Sequence, residues 1–141
     1  MNLEYTDTIR PRISDINYGG HLGHVELINL LHEVRVKFLH QYALKESDLN
    51  GHVLVVRSLN LIYKNQVFWN NDLEIKIQVT LDGAKIIFDY NVYNSSLGNE
   101  TAVAEIAMIL LNREKKRPAK PEIFARMLKN DINNETQEEH Y

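Results

Sequence analysis

The chain has 141 residues, of which 44% are hydrophobic and 25% are charged. A chain of this size and composition predicts one globular domain with its own hydrophobic core. The net charge of −3 argues against a general nucleic-acid binder, and the absence of cysteine excludes disulfides, thiolate catalysis and cysteine-based zinc sites. No secretory signal and no apolar run of membrane-spanning length are visible, so the sequence predicts a cytoplasmic protein without a membrane span.

The first third of the chain is predicted to form a strand and then a long amphipathic helix. Residues 3–13 alternate apolar and polar side chains, and Pro11 suits the end of a strand. After a glycine-rich segment, a helix is predicted over residues 23–42, because its apolar side chains share one broad arc. These side chains are Leu27, Ile28, Leu30, Leu31, Val34, Phe38, Leu39 and Tyr42. An arc of this width predicts a helix partly wrapped by a sheet.

Four strands are predicted next, at residues 53–63, 73–81, 84–94 and 101–112. The second of them alternates strictly, which indicates one buried and one solvated face, and Asp82-Gly83 predicts a hairpin after it. The last is apolar on both faces, as is typical of a central strand or of one covered by an interface. One helix cannot cover both faces of such a sheet, so we expect a homo-oligomer, either a dimer or a tetramer.

The C-terminal segment differs in composition from the rest. Residues 1–125 are predicted to form the single domain, and residues 126–141 are predicted to form a polar, disordered tail. Residues 122–129 have the composition of a short helix.

Chemistry-bearing residues concentrate in ten positions between the first strand and the helix. They are Asp15, Asn17, Gly19, Gly20, His21, Gly23 and His24. Glycine lets a backbone approach a ligand closely, and a helix N-terminus favours developing negative charge. Acid–base side chains therefore meet backbone donors at one junction, which is what an acyl-transfer site requires.

This order of elements, with Asp-x-Asn-x-x-Gly-His at the strand-to-helix junction, resembles the hotdog-fold acyl-CoA thioesterases of the 4-hydroxybenzoyl-CoA thioesterase type. The resemblance spans roughly residues 5–125 and rests on Asp15-Ile16-Asn17, Gly20-His21-Leu22, His32-Glu33-Val34-Arg35, Leu61-Ile62-Tyr63-Lys64, Asn71-Asp72 and Arg117-Pro118. It implies an α+β hotdog fold, in which a five-stranded antiparallel sheet wraps around one long helix. It also implies paired subunits, active sites at their interface, and a thioester carbonyl held by backbone amides at the helix N-terminus.

The sequence departs from the resembling enzymes at Asn17. Their commonest motif is Asp-x-Asp, and its second aspartate is the catalytic carboxylate, whereas an amide is neither a nucleophile nor a base at neutral pH. We therefore interpret Asn17 as positioning water or substrate, with Asp15 or His24 as the base. Alternatively, Asp15 hydrogen-bonds local amides or pairs with Arg35, and His24 caps the helix or packs at a subunit contact.

The remaining site residues are predicted in two groups. Gly20, His21, Leu22 and Gly23 are expected to bind the substrate and its oxyanion. Basic side chains are candidates for contacting coenzyme A phosphates: Lys64, Arg113, Lys116 and Arg117. No cofactor and no metal is predicted, because the histidines lack a recognisable ligand motif.

Two alternatives to an acyl-CoA thioesterase stay open from the sequence. The first is a hotdog enoyl-CoA hydratase or dehydratase, since those enzymes use an Asp-x-Asn segment followed by histidine, and Asp15, Asn17 and His21 are similar. The second is a non-catalytic acyl-CoA-binding protein that has lost its base.

Overall fold

A computed structural model describes residues 3–133, which form seven regular elements. In chain order they are β1 (Leu3–Ile9), α1 (His24–His40), β2 (His52–Tyr63), β3 (Leu73–Asp82), β4 (Lys85–Asn94), β5 (Asn99–Asn112) and α2 (Pro121–Asn133). The five strands and the long helix predicted from the sequence are confirmed. In the described part of the chain, no helix is both long and apolar enough to cross a membrane.

All five strands belong to one antiparallel sheet in the order β1-β3-β4-β5-β2. The predicted hairpin joins β3 to β4, with Gly83 at φ +61°, a conformation that glycine adopts without steric cost. β5 is paired on both sides, by β4 and by β2, which confirms its prediction as a central strand. β1 and β2 are the two edges of the sheet.

One face of the sheet holds α1. Along β3, the four residues Leu73, Ile75, Ile77 and Val79 are fully buried while Glu74 and Thr80 are exposed, as the strict alternation predicted. The helix buries its apolar arc against this face, with Leu27, Leu31, Val34 and Phe38 fully buried. The predicted α+β class is therefore confirmed.

Two elements are shorter in the structure than the sequence predicts. β1 ends at Ile9 rather than at residue 13, because Pro11 has no N–H to donate and residues Ile13–Asp15 form a 3₁₀ turn. The helix covers His24–His40 rather than residues 23–42. Gly23 has the extended backbone of an N-cap, and the residues after His40 form a turn.

A second helix corrects two predictions. α2 packs Phe124 against Phe88 of β4, at 6.2 Å between ring centroids, and buries Leu128 completely. The short helix predicted over residues 122–129 is confirmed and extends over Pro121–Asn133, so the sheet carries a second helix besides the one that the family resemblance implies. The predicted disordered tail is wrong for residues 126–133, which are helical, whereas residues 134–141 lie outside the described residues.

Candidate active site

A cleft of about 300 Å³ lies where the connection before α1 meets the end of β2. Its lining combines five residues of the motif before α1 with the four consecutive residues 63–66. The lining residues are Asn17, His21, Leu22, Gly23, His24, Tyr63, Lys64, Asn65 and Gln66. The spatial convergence predicted from the motif is therefore present, at the N-terminal end of α1.

Asn17 organises the turn that forms one wall of the cleft. Its side-chain oxygen accepts hydrogen bonds from the N–H groups of Gly19 (2.9 Å) and His21 (3.4 Å). Its backbone N–H donates to the His21 carbonyl and its own carbonyl accepts from Gly20, both at 3.0 Å. Because Oδ1 is engaged in the turn, the Nδ2 donor is the part of the amide that remains for a ligand or water.

Glycine stands at three positions of this segment, and the physical reason differs from one position to the next. Gly20 lies at φ +83°, where any other side chain is strained. Gly19 allows close packing, since a Cβ there would lie 2.9 Å from Cε1 of His21. Gly23 has an ordinary backbone, but a Cβ on it would collide with Oε1 of Glu26.

The N-terminus of α1 offers unpaired backbone donors to the cleft. Gly23 is the N-cap and makes no side-chain capping hydrogen bond, and the N–H groups of a first helical turn have no partner within the helix. Among the predicted oxyanion donors, Gly20 and His21 already donate to Asn17, and Leu22 donates to the Val67 carbonyl at 2.7 Å. Within residues 3–133, the donors left for a ligand are therefore those of Gly23 and the first turn of α1.

The opposite wall is built by the end of β2 and the loop that follows it. Tyr63 donates its hydroxyl to the Leu22 carbonyl at 2.9 Å. Burial raises the pKa of Tyr63, so this hydroxyl stays a neutral donor at neutral pH. Together with the bond from Leu22 to Val67, this contact fixes the distance between the two walls. Sequence reasoning did not assign Tyr63 to the site, because nothing local relates it to a motif 41 residues away.

A family profile covers this whole arrangement. Residues 11–130 match the Thioesterase-like superfamily. The chain belongs to that superfamily. A search of curated proteins finds no match.

Solved structures of thioesterases share the fold of this thioesterase-like chain at low sequence identity. A 1,4-dihydroxy-2-naphthoyl-CoA thioesterase from Synechocystis is 13% identical, with a TM-score of 0.79 over 88% of this chain and 94% of that one. A DHNA-CoA thioesterase from Staphylococcus aureus is 14% identical, with a TM-score of 0.76 over 95% and 91%. A hypothetical protein from Staphylococcus aureus, solved in complex with CoA, is 15% identical, with a TM-score of 0.78 over 95% and 87%. These likenesses establish the hotdog fold of thioesterases for the chain.

Asp15 is buried beside the turn and not in the cleft lining of this thioesterase-like chain. Its Oδ2 accepts the N–H of Arg12 at 2.8 Å and its Oδ1 lies 3.5 Å from the Arg12 guanidinium. The local-amide interpretation of Asp15 thus matches the geometry. The alternative partner, Arg35, is engaged elsewhere, with Glu46 and with the hydroxyl of Tyr90 at 3.1 Å.

Glu26 is a carboxylate that sequence reasoning did not assign to the site. It is the third residue after the N-cap, and its Oε1 lies over Gly23, so that a Cβ at Gly23 would collide with it. Negative charge is favoured at this end of a helix. The spacing Gly-x-x-Glu at a helix start was the available signal, since an acidic residue at this third position commonly folds back over the N-cap.

The predicted CoA-binding residues are not together within one subunit. Lys64 lines the cleft, but its ammonium pairs with Glu100 at 2.6 Å. Arg113, Lys116 and Arg117 lie in the turn after β5, beside the start of β2, since His52 pairs with Asn112. The 12-residue strand β2 separates that turn from the cleft by roughly 36 Å at about 3.3 Å per residue.

Among the side chains described in residues 3–129, no three His, Asp or Glu come together as possible metal ligands. The side chains that line the cleft include two imidazoles. Its imidazoles are those of His21, which is half-buried, and His24, which is exposed at the first position of α1.

Proposed function

We propose that the chain is an acyl-CoA thioesterase whose cleft hydrolyses the thioester with His24 as the base. The single observation that carries this proposal is the uncapped N-terminus of α1, which faces a cleft containing an imidazole. Preorganised N–H donors of this kind stabilise the oxyanion of acyl transfer, and removing one typically costs about 10²–10³ in rate. Membership of the Thioesterase-like superfamily supports the same reaction class.

The proposed reaction uses residues of the cleft in distinct roles. His24, in its neutral form, takes a proton from water as the water oxygen bonds to the thioester carbon. The resulting oxyanion accepts hydrogen bonds from Gly23 and from the first turn of α1, while Nδ2 of Asn17 holds the attacking water. The carbon–sulfur bond then breaks, and the thiolate of coenzyme A receives the proton from His24. The products are one carboxylic acid and free coenzyme A.

We propose that two copies pair through β2. This edge strand is long, is paired only on its β5 side, and exposes Val55, Val56, Leu59 and Ile62 at 40–53% of their surface. An exposed apolar edge of this length is a template for pairing with another chain. The opposite edge, β1, has seven residues and carries Glu4 and Asp7, which oppose such pairing.

Pairing through β2 would complete the cleft. Edge-to-edge pairing about a two-fold axis is antiparallel, so the start of β2 in one copy lies beside the end of β2 in the other. The partner subunit's basic turn, with Arg113, Lys116 and Arg117, would then stand next to Tyr63 and the cleft. This arrangement accounts for basic residues that lie far from the cleft within one chain, and phosphate groups of coenzyme A suit them.

The catalytic proposal is tested by thiol release from benzoyl-, hexanoyl- and dodecanoyl-CoA. We expect turnover of at least one of these thioesters and a loss of about 10² or more in kcat for His24→Ala, the usual contribution of a positioned base. Asp15→Asn is the matched control, because it alters the carboxylate outside the cleft, and its kcat should stay within a few-fold of wild type. If Asp15→Asn is the inactive variant, the base is Asp15. Absence of turnover by the wild type on every thioester would refute hydrolysis and leave a binding protein.

The role of the basic turn is tested separately with a substrate pair. Arg113→Ser/Lys116→Ser should raise KM for a CoA thioester by about tenfold, or 1.4 kcal/mol. KM for the corresponding pantetheine thioester, which lacks the nucleotide phosphates, should not change. Lys120→Ser, an exposed lysine outside the turn, is the matched control. Equal effects on both substrates would contradict phosphate recognition.

A further inference from the structure

A second cavity lies at the opposite end of α1 from the cleft. It measures about 690 Å³ and is bounded by the last two turns of α1, the loop that follows, and β1. Its apolar walls are Tyr5, Val36, Leu39 and Leu44. Ligand cavities typically measure about 300–1,000 Å³ with mostly apolar walls, so this one has the size and lining of a small-molecule site.

Basic side chains outnumber carboxylates on the rim of this cavity. Lys37, Lys45, His32 and His40 lie on it, against Glu46 as its carboxylate. Glu46 is already neutralised, because it pairs with the buried Arg35 and lies 3.4 Å from Nε2 of His32. Lys37 is likewise paired, with Asp7 and with Glu33. Among the side chains described in residues 3–129, no ion pair engages Lys45, which leaves its ammonium to meet an anion.

The carbonyl groups at the end of α1 do not oppose an anion here. A helix C-terminus carries partial negative charge on its unpaired carbonyls. In this chain the Lys37 carbonyl accepts from Gln41, the Leu39 carbonyl from Tyr42 and Leu44, and the His40 carbonyl from Ala43. These bonds give the three carbonyls backbone partners, which leaves Lys45 as the unpaired charge on the rim among the side chains that the structure describes.

We propose that this cavity is a second ligand site, which binds an amphiphilic carboxylate such as a fatty acid. The apolar chain lies against Val36, Leu39 and Leu44, and the carboxylate pairs with Lys45 at the rim. Val36 and Leu39 lie roughly 18–23 Å along α1 from His24, at about 1.5 Å per residue. The site therefore acts independently of the cleft, and its existence does not require that the chain hydrolyses thioesters.

Calorimetric titration of the full chain with dodecanoate, below its micelle concentration, tests the site. We expect saturable binding that is weakened about tenfold or more by Val36→Asp, because this change puts a charge against the apolar chain. Val25→Asp is the matched control, since Val25 is a similarly exposed valine at the other end of α1. Lys45→Glu should also weaken binding, by about threefold to tenfold, whereas Lys115→Glu should leave it unchanged.

Several results would overturn the proposal. If dodecyltrimethylammonium, a cation, binds as tightly as dodecanoate, Lys45 does not select a carboxylate. Loss of dodecanoate binding in His24→Ala, with Val36→Asp unaffected, would place the fatty acid in the cleft. Absence of saturable heat in the wild type would show that the cavity takes no such ligand. A thioesterase assay is not involved, so failure of the proposed hydrolysis would leave the binding result intact.

Discussion

The two ends of α1 differ in the groups that satisfy their hydrogen bonds. The N-terminal end is bounded by glycine and backbone, because Gly23 is its N-cap and no side chain caps it within the described residues. The C-terminal half is held by side chains: Arg35 is 5% exposed and bonds to Glu46 and to Tyr90, and lies 6.0 Å from the centre of the Phe88 ring. Unsatisfied donors at one end thus contrast with a satisfied polar network near the other.

This difference separates where the fold is stabilised from where a ligand can be bound. Buried polar groups stabilise a fold only when all their partners are present, which is the situation around Arg35. A helix end without such partners satisfies its donors with water or with a ligand. We therefore expect substitutions near Arg35 to change stability, and substitutions near Gly23 to change ligand binding and turnover.

The largest expected effect on stability comes from Arg35→Met. It removes the partner of Glu46, whose side chain is 19% exposed, and leaves the Tyr90 hydroxyl without its bond. The free energy of unfolding should fall by about 2–4 kcal/mol in urea denaturation, because a partly buried charge is left uncompensated. The double variant Arg35→Met/Glu46→Gln should recover about half of this loss. A loss below about 0.5 kcal/mol would contradict the central position given to Arg35.

The pH dependence of stability gives a second test of the network around Arg35. Burial raises the pKa of Tyr90 to about 12, although Arg35 acts in the opposite direction. A raised pKa means that the unfolded chain loses the Tyr90 proton first, near its ordinary pKa of 10.0, so stability is full below that pH and is lost as pH rises towards 12. The loss should be about 2–3 kcal/mol. Tyr90→Phe is the control: between these pH values its free energy of unfolding should fall by less than that of the wild type, and the difference should equal this loss.

The smallest expected changes in stability are at the N-terminal end of α1, where Gly20 and Gly23 should respond differently to substitution. Gly20→Ala should lower the free energy of unfolding by about 1–2 kcal/mol, because φ of +83° is strained for alanine. Gly23→Ala keeps an ordinary backbone and should cost less, since only the side chain of Glu26 must move. Turnover should nevertheless fall more in Gly23→Ala, whose methyl group stands beside the proposed oxyanion donors. The opposite ranking in urea denaturation would show that the turn tolerates the substitution.

Much of the fold followed from local patterns. The alternation from Leu73 to Val79 has a period of two, and only a strand with one buried face produces it. The wide apolar arc of α1 and the Asp82-Gly83 hairpin were similarly local, and all three predictions are confirmed. α2 was predicted only over residues 122–129, because the polar residues that follow suggested a disordered tail, whereas the helix covers Pro121–Asn133.

The sequence by itself determined the five strands and the long helix, since these depend on spacing along the chain, and it predicted a site at the junction before α1. Only the tertiary structure decided which residues of that junction face a cleft. The bonds from Leu22 to Val67 and from Tyr63 to Leu22 turn the motif towards a loop more than 40 positions away, while Asp15 turns back to Arg12. The direction of a side chain in a connecting segment is set by such long-range hydrogen bonds. Local periodicity contains no information about them.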